Sequence, residues 1–237
     1  VMFNPELKKA EEAGIPVVSY AVGDAPEDGL SLVLFGEQDQ KDVGVRIANY
    51  MLAKSGGKAF DAVTVFSSGF ADEVPVANAW KDTIAAACPT CTADFLDVPP
   101  ESLGSDLPTR VSGYLASHPG TSWVYPSFSD MASGLPQVIK DAGVDATLVT
   151  WASNPQTIEY FEKGELGGFD VFPGHDIMWR SVDFFARTFT GVDTAVDNGP
   201  LPAWFIDTPA GLPADWNERQ GAVADTEAQY KALWGVS

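Results

Sequence analysis

The amino-acid sequence predicts an α/β fold built on doubly wound parallel sheets. Its predicted strands are short, almost continuously apolar and separated by helices, which is the pattern of a parallel sheet covered on both faces. Eight equivalent βα units are not visible, so a closed barrel is disfavoured. The chain has 237 residues, of which 45 % are hydrophobic, and this is enough for a substantial core.

The chain opens with a predicted helix that leads directly into a strand. Pro5 suits the first turn of a helix, and Gly14 suits the position just after its last turn. Residues 15–20 form a short, β-branched apolar run, and a second strand is predicted near residues 32–35. Because no strand precedes this helix, we expect that the chain is cut from a longer one or that its first sheet is completed by another segment.

From Asp39 onward, predicted helices and strands alternate. The apolar stripes and the Gly and Pro breaks predict helices over 39–55, 76–87, 106–117, 130–142, 155–163, 177–189 and 225–234, and strands over 62–66, 92–98, 122–125, 146–151, 168–172 and 203–207.

Net charge disfavours one large class of partner, the nucleic acids. The formal charge is −19, and the acidic residues are spread along the chain. Nucleic-acid binding needs a Lys/Arg footprint, so it is disfavoured, and the acidic surface is best explained by solubility. No apolar run reaches the length of a membrane span.

The two cysteines, Cys88 and Cys91, form a Cys-Pro-Thr-Cys segment between a predicted helix and a predicted strand. A redox pair usually precedes a helix instead, and zinc would need further ligands that the two distant histidines do not offer. A loop disulfide and a free buried pair are the other two interpretations, and the disulfide, which would imply export, is favoured.

The carboxyl ends of the predicted strands are where a parallel α/β sheet binds ligands. Aromatic side chains there alternate with hydroxyls and carboxylates, a combination that suits small polar ligands with an apolar face, above all sugars. The competing interpretation is packing and helix capping, with Asp130 and either Ser153 or Asn154 as N-caps. The residues predicted to bind ligand are Tyr20, Phe70, Asp72, Glu73, Ser127, Phe128, Asp130, Trp151, Asn154 and Phe172.

Catalytic motifs are absent from the sequence. His118 precedes Pro119 and His175 precedes a predicted helix, so each is expected to be a cap or a surface residue. Neither a phosphate-binding glycine loop nor a Gly-x-Ser-x-Gly elbow is present. We therefore expect no enzymatic activity, no cofactor and no metal.

Several segments together resemble one protein family. Residues 6–18, the helix start at 39–44, the Ser-Asp-Met-Ala-Ser-Gly-Leu segment at 129–135, the turn at 162–166 and the Leu-Trp-Gly ending at 233–235 follow its order and spacing. On these motifs the chain resembles the type I periplasmic sugar-binding proteins, the ribose-binding and LacI-like superfamily.

The resemblance implies two Rossmann-like lobes joined by three crossovers, with a ligand between them. Residues 39–171 plus 200–208 would form the C-terminal lobe, 1–38 plus 172–199 the remainder of the N-terminal lobe, and 209–237 a C-terminal linker and helix. Roughly two βαβ units of about 30 residues each would be missing. An incomplete N-terminal lobe would expose sheet edges and apolar surface, so self-association is also expected.

The sequence departs from the ribose binders at their ligand contacts. Ala21-Val22 replaces Asp-Arg, the ligand-binding Asn falls near Phe128 and the ligand-binding Asp near Ala152, and the Arg expected between Val74 and Asn78 is missing. Since a buried sugar hydroxyl without a partner costs about 1–3 kcal/mol, ribose is disfavoured. A different sugar, a nucleoside-like compound or an aromatic metabolite is expected.

The resemblance thus implies an extracytoplasmic solute-binding protein that delivers a small sugar-like ligand to an ABC permease and does no chemistry. It would be periplasmic or extracellular, and anchored to the membrane as a lipoprotein if a lipobox cysteine lies upstream. The alternative is the effector-binding domain of a LacI-type regulator, which would need a DNA-binding headpiece upstream.

Overall fold

The computed structural model describes residues 4–21, 29–216 and 223–236. The chain divides into two compact units. The first unit comprises residues 1–39, 172–203 and 215–237, and the second unit comprises residues 40–171 and 204–214. The assignment of these stretches to an N-terminal and a C-terminal lobe stays a prediction. Within the described residues, no helix has both the length and the apolar character that a membrane span requires.

Helices and strands alternate through most of the chain, as predicted. The helices are α1 (Asn4–Glu12), α2 (Glu37–Lys54), α3 (Glu73–Ala87), α4 (Leu107–Ser117), α5 (Leu135–Ala142), α6 (Pro155–Glu162), α7 (Gly174–Thr190) and α8 (Thr226–Trp234). The strands are β1 (Val18–Tyr20), β2 (Leu32–Leu34), β3 (Asp61–Phe66), β4 (Thr92–Asp97), β5 (Thr121–Pro126), β6 (Thr147–Trp151), β7 (Gly168–Asp170) and β8 (Phe205–Ile206).

The second unit is built on one six-stranded sheet with the order β4-β3-β5-β6-β7-β8. Its first five strands are parallel, which confirms the predicted α/β fold class. The last strand, β8, is antiparallel to β7 and so departs from the all-parallel prediction. An antiparallel edge strand on an otherwise parallel sheet is common in α/β proteins, and β8 pairs with β7 alone.

Close packing of α2 on α3 depends on a glycine. A Cβ atom added to Gly44 would lie 2.2 Å from the carbonyl oxygen of Val76, so no other residue fits there without displacing backbone. Val43 and Ile47, on either side of Gly44 along α2, are fully buried. The contact fixes the position of the first turns of α3. Because the loop after β3 leads directly into α3, the contact also positions that loop.

The predicted helix over 130–142 is interrupted. Residues Ser129–Ala132 form a 3₁₀ turn, and α5 begins only at Leu135. Gly134 between them has φ of +76°, a left-handed conformation that glycine adopts without strain and that ends helical geometry. Asp130 therefore lies inside the short turn, and the prediction that it caps a helix is wrong, because Phe128 occupies the capping position.

The first unit contains α1, a parallel pair of strands β1 and β2, α7 and α8. Gly14 follows α1 with φ of +68°, as expected for its C-terminal position. Helix α8 is held to α7 by hydrogen bonds from Trp234 Nε1 to Asp183 Oδ1 (2.6 Å) and from Thr226 Oγ1 to Asp176 Oδ1 (3.0 Å). Of the Ala21-Val22 pair, Val22 lies outside the described residues.

Candidate functional site

Two aromatic rings lie together where strands β3 and β5 of the second unit end. Phe70 follows β3 and Phe128 follows β5, and their ring centroids are 6.2 Å apart at 75°, an edge-to-face contact. Both rings are half-buried, so part of each is accessible to a ligand. Trp151 ends the neighbouring strand β6 and is almost completely buried.

Beneath the two loops, a buried carboxylate joins β3 to β5. Glu73 is 1 % exposed, and its Oε2 accepts hydrogen bonds from the backbone N–H of Ser67 (2.8 Å) and from the hydroxyl of Ser127. Burial raises the pKa of Glu73 to about 7, against the opposing effect of these two hydrogen bonds. Glu73 and Ser127, both predicted to bind ligand, are thus brought together and are used to hold the loops.

A second carboxylate fixes the loop after β3 from the other side. Asp97, at the end of β4, accepts hydrogen bonds from the backbone N–H of Ser68 (2.9 Å) and from its hydroxyl (2.7 Å). The pair is exposed to solvent. Glu73 and Asp97 thus bind two consecutive backbone N–H groups, those of Ser67 and Ser68, in the loop that carries Phe70.

The predicted residues Asp130 and Asn154 are bonded to each other. The side-chain amide of Asn154 donates to Asp130 Oδ1 (2.6 Å), and its Oδ1 accepts from the backbone N–H of Thr157 (2.9 Å). The second bond makes Asn154 the N-cap of α6, in a capping box that Thr157 completes. Of the two caps predicted at this position, the structure selects Asn154.

Asp72 is half-buried immediately before α3. It occupies the N-cap position, but its side chain makes no capping hydrogen bond. Burial raises the pKa of Asp72, and a bond to its own backbone N–H opposes this rise. Its carboxylate is therefore available to a ligand in a way that those of Glu73 and Asp97 are not.

Two of the predicted residues belong to the first unit. Tyr20, the last residue of β1, is 50 % exposed. The ring of Phe172 packs edge-to-face on Phe35, with centroids 5.1 Å apart. Phe35 directly follows β2 and has a left-handed φ of +55°, an uncommon conformation for a bulky residue.

An ion pair at the end of β7 escaped the sequence analysis. Arg46 of α2 donates from Nε and Nη2 to the two carboxylate oxygens of Asp170 (2.5 and 2.9 Å). Burial raises the pKa of Asp170 to about 6, and Arg46 acts against that rise. Two features of the sequence could have indicated this ion pair. Asp170 is a charged residue within a short apolar strand, and Arg46 lies in α2 between residues that are predicted to be buried.

Tyr125 on β5 is also buried in this region, and its hydroxyl makes no hydrogen bond to any residue that the structure describes. Burial and the nearby Asp170 and Glu73 raise the pKa of Tyr125 well above its ordinary value. The interior below the strand ends is therefore polar as well as aromatic.

The remaining candidate groups lie elsewhere. Cys88 and Cys91 are joined by a disulfide, with an S–S distance of 2.07 Å. His118 is exposed and stacks on Tyr114, while His175 lies 3.3 Å from the indole nitrogen of Trp179. In the part of the chain that the structure describes, no cluster of three His, Cys, Asp or Glu side chains could hold a metal ion.

Several solved structures share the fold of this chain. A carbohydrate transporter from Acidothermus cellulolyticus in complex with myo-inositol is 24 % identical, with a TM-score of 0.74 over 92 % of this chain and 73 % of that chain. A periplasmic solute-binding protein from Actinobacillus succinogenes with bound D-allose is 17 % identical, with a TM-score of 0.73 over 89 % of this chain and 74 % of that chain.

The periplasmic component of an arabinose ABC transporter from Shewanella is 19 % identical, with a TM-score of 0.72 over 97 % of this chain and 75 % of that chain. At these identities the likeness shows the fold alone. A comparison with curated protein sequences gives no match.

The sequence itself identifies the family. The model of the periplasmic binding protein domain matches residues 2–190, which is most of the chain. The observed order of helices and parallel strands agrees with this match. The chain is therefore a member of the periplasmic binding protein domain family.

Proposed function

We propose that this protein is an extracytoplasmic solute-binding protein that captures a small sugar-like ligand and delivers it to an ABC importer. Its family membership and the sugars and cyclitol bound to proteins of the same fold support this function. Binding is non-covalent, and the protein does no chemistry. Its partners are the ligand and a transporter permease.

The observation that carries the proposal is the aromatic pair beside carboxylates at the strand ends of the second unit. The half-buried rings of Phe70 and Phe128 offer apolar faces to the C–H surface of a sugar. Asp72 and the free oxygen of Asp130 offer acceptors for hydroxyl groups. Trp151 and Asn154, at and after the end of β6, are proposed as further contacts on this unit. Tyr20 and Phe172, which belong to the first unit, stay predicted ligand-binding residues.

The disulfide supports a location outside the cytoplasm, because disulfides persist in oxidising compartments. We therefore place the protein in the periplasm or on the cell exterior. Attachment to the membrane as a lipoprotein is part of the same proposal, and mass spectrometry of the protein purified from its native membranes would detect the lipid.

A thermal-shift screen tests the function directly. Neutral hexoses, pentoses, cyclitols, nucleosides and aromatic acids are added to the purified protein, and the melting temperature is measured. We expect sugars or cyclitols to raise it, because a ligand that binds only the folded state stabilises that state. Stabilisation by nucleosides or aromatic acids alone would contradict sugar binding.

A variant pair then tests the site. Phe128→Ala should weaken binding of the best sugar by at least about tenfold in calorimetry, because it removes one of the two apolar faces. Phe95→Ala is the matched control, since Phe95 is a partly exposed aromatic on β4 of the same unit. Equal affinities of the two variants would contradict the proposed site.

A further inference from the structure

The loops at the strand ends of the second unit carry no positive charge. The four segments that follow β3, β4, β5 and β6, at 67–72, 98–106, 127–134 and 152–154, contain neither Lys nor Arg. They contain four acidic residues, which are Asp72, Glu101, Asp106 and Asp130. The ligand proposed above therefore meets an acidic surface on this unit.

A cation does reach this edge from α2, but it is already bound. Arg46 places Nε and Nη2 on the two oxygens of the buried Asp170. Withdrawing Arg46 toward an anionic ligand would leave the Asp170 carboxylate buried without its partner, which is strongly unfavourable.

Helix N-termini are the other source of positive potential, and at α3 and α6 side chains of the protein already counter it. The first turn of α3 contains Glu73, whose carboxylate is held beside the loop amide of Ser67. The N-terminus of α6 is capped by Asn154 through the backbone N–H of Thr157. At α6 the cap leaves fewer amides for an anion, and at α3 the carboxylates of Asp72 and Glu73 offset the positive end of the helix.

Most acceptors at this edge are engaged inside the protein. Glu73 and Asp97 hold the loop after β3, and Asp130 uses one oxygen for Asn154. Asp72 differs, because among the described residues its carboxylate is bonded only to its own backbone N–H. A half-buried carboxylate in this position gains most from a donor supplied by the ligand.

Building on the proposed function, we infer that the ligand carries no negative charge, and that Asp72 selects it by accepting a hydrogen bond from a hydroxyl or ammonium group. An amino sugar then binds more tightly than its neutral parent, because an ammonium donor forms a charge-assisted bond to Asp72. A sugar acid binds more weakly, because its carboxylate faces Asp72 and Asp130 without a neutralising cation.

Matched ligand series test this inference. D-Glucose, D-glucosamine and D-glucuronate, and the three corresponding galactose compounds, are titrated into the purified protein at neutral pH by calorimetry. We expect the amino sugar to bind about tenfold more tightly than its neutral parent. We expect the sugar acid to bind at least about tenfold more weakly than the neutral parent.

Asp72→Asn supplies the decisive comparison. It should abolish the advantage of the amino sugar and weaken binding of the neutral parent by a smaller factor, because an amide still accepts a hydrogen bond but carries no charge. Asp82→Asn, at an exposed position on α3, is the control and should keep the advantage.

The outcomes separate the two proposals. A sugar acid that binds as tightly as its neutral parent overturns this inference, and so does an amino-sugar advantage that survives Asp72→Asn. Failure of all six compounds and of every sugar in the thermal-shift screen overturns the proposed function instead, and the inference with it.

Discussion

Arg46 and Asp170 are 124 residues apart in the sequence, and yet they form two parallel hydrogen bonds in the second unit. Asp170 is fully buried at the end of β7, and Arg46 reaches it from α2. The pair therefore connects α2 to the last residue of β7. The two opposite charges compensate each other, whereas a single buried charge at this position would destabilise the folded state.

Arg46→Ala should lower the free energy of unfolding by about 3–5 kcal/mol, because the Asp170 carboxylate is left buried without a counter-charge. Urea denaturation followed by circular dichroism measures this loss. Adding Asp170→Asn to the variant should recover part of it, since the uncompensated charge is then gone.

The control for this experiment is Arg110→Ala. Arg110 forms an exposed pair with Asp106 at 2.9 Å on the surface of the same unit, and exposed pairs contribute little to stability. Equal losses for the two alanine variants would show that burial of Asp170 does not govern the effect.

Glu73 should make stability depend on pH. Its folded pKa of about 7 lies above the ordinary value of 4.5, so the folded state binds the proton more tightly than the unfolded state does. Its contribution to stability is therefore full below about pH 4.5 and is lost as the pH rises to about 7. Glu73→Gln, which keeps an acceptor oxygen for the Ser67 N–H and the Ser127 hydroxyl, should remove up to about 3 kcal/mol of that fall.

Thermal and urea unfolding across this pH range would measure the difference between wild type and Glu73→Gln. Other acidic groups contribute to the total pH dependence, so the difference between the two proteins is the informative quantity. Glu162→Gln, at an exposed position in α6, should follow the wild type. If the stability of Glu73→Gln depends on pH in the same way as that of the wild type, Glu73 does not retain its proton in the folded protein.

The disulfide between Cys88 and Cys91 should be present in the exported protein. It joins the residue that ends α3 to the residue before β4, so it constrains the turn between them. Thiol titration of the denatured, unreduced protein should find no free thiol, and reduction should release two. Cys88→Ser with Cys91→Ser should lower stability by about 2 kcal/mol, because the closed loop is short. Two free thiols before reduction would contradict the assignment.

Helix α7 presents an apolar stripe that should cause self-association. Met178, Val182 and Phe189 are 43 %, 51 % and 73 % exposed, and they lie on one side of the helix. Light scattering over a wide concentration range should detect dimers or larger species. Val182→Gln with Phe189→Gln should shift the protein to a monomer, whereas Phe95→Gln in the second unit should not. A wild-type protein that stays monomeric throughout would contradict this prediction.

Local sequence signals predicted the elements well but not the contacts between distant ones. Gly14 and the apolar run after it specified α1 and β1, because capping and β-branching act over a few residues. The left-handed turn at Gly134 was missed, since the apolar periodicity continues through it. The position of Phe70 and Phe128 after parallel strands predicted that both lie at one edge of the sheet, and there their rings are in contact.

The roles of individual polar residues were harder to predict. Glu73 and Asp72 are neighbours in sequence and chemically alike, but one is sealed beneath the loops and the other is half-buried without a capping bond. Glu73 differs from Asp72 by its hydrogen bonds to Ser67 and to Ser127, and Ser127 lies more than fifty residues further along the chain. The bond between Arg46 and Asp170 depends in the same way on which helix covers which strand.

The division of the chain into units has a consequence for how the protein is synthesised. Strands β3 to β7 come from one unbroken stretch, whereas the first unit is assembled from three separate stretches and includes α8. A ribosome that adds about 5–20 residues per second completes α8 several seconds after β7 has been translated. The five parallel strands can therefore all be present before α8, which is hydrogen-bonded to α7, has been translated.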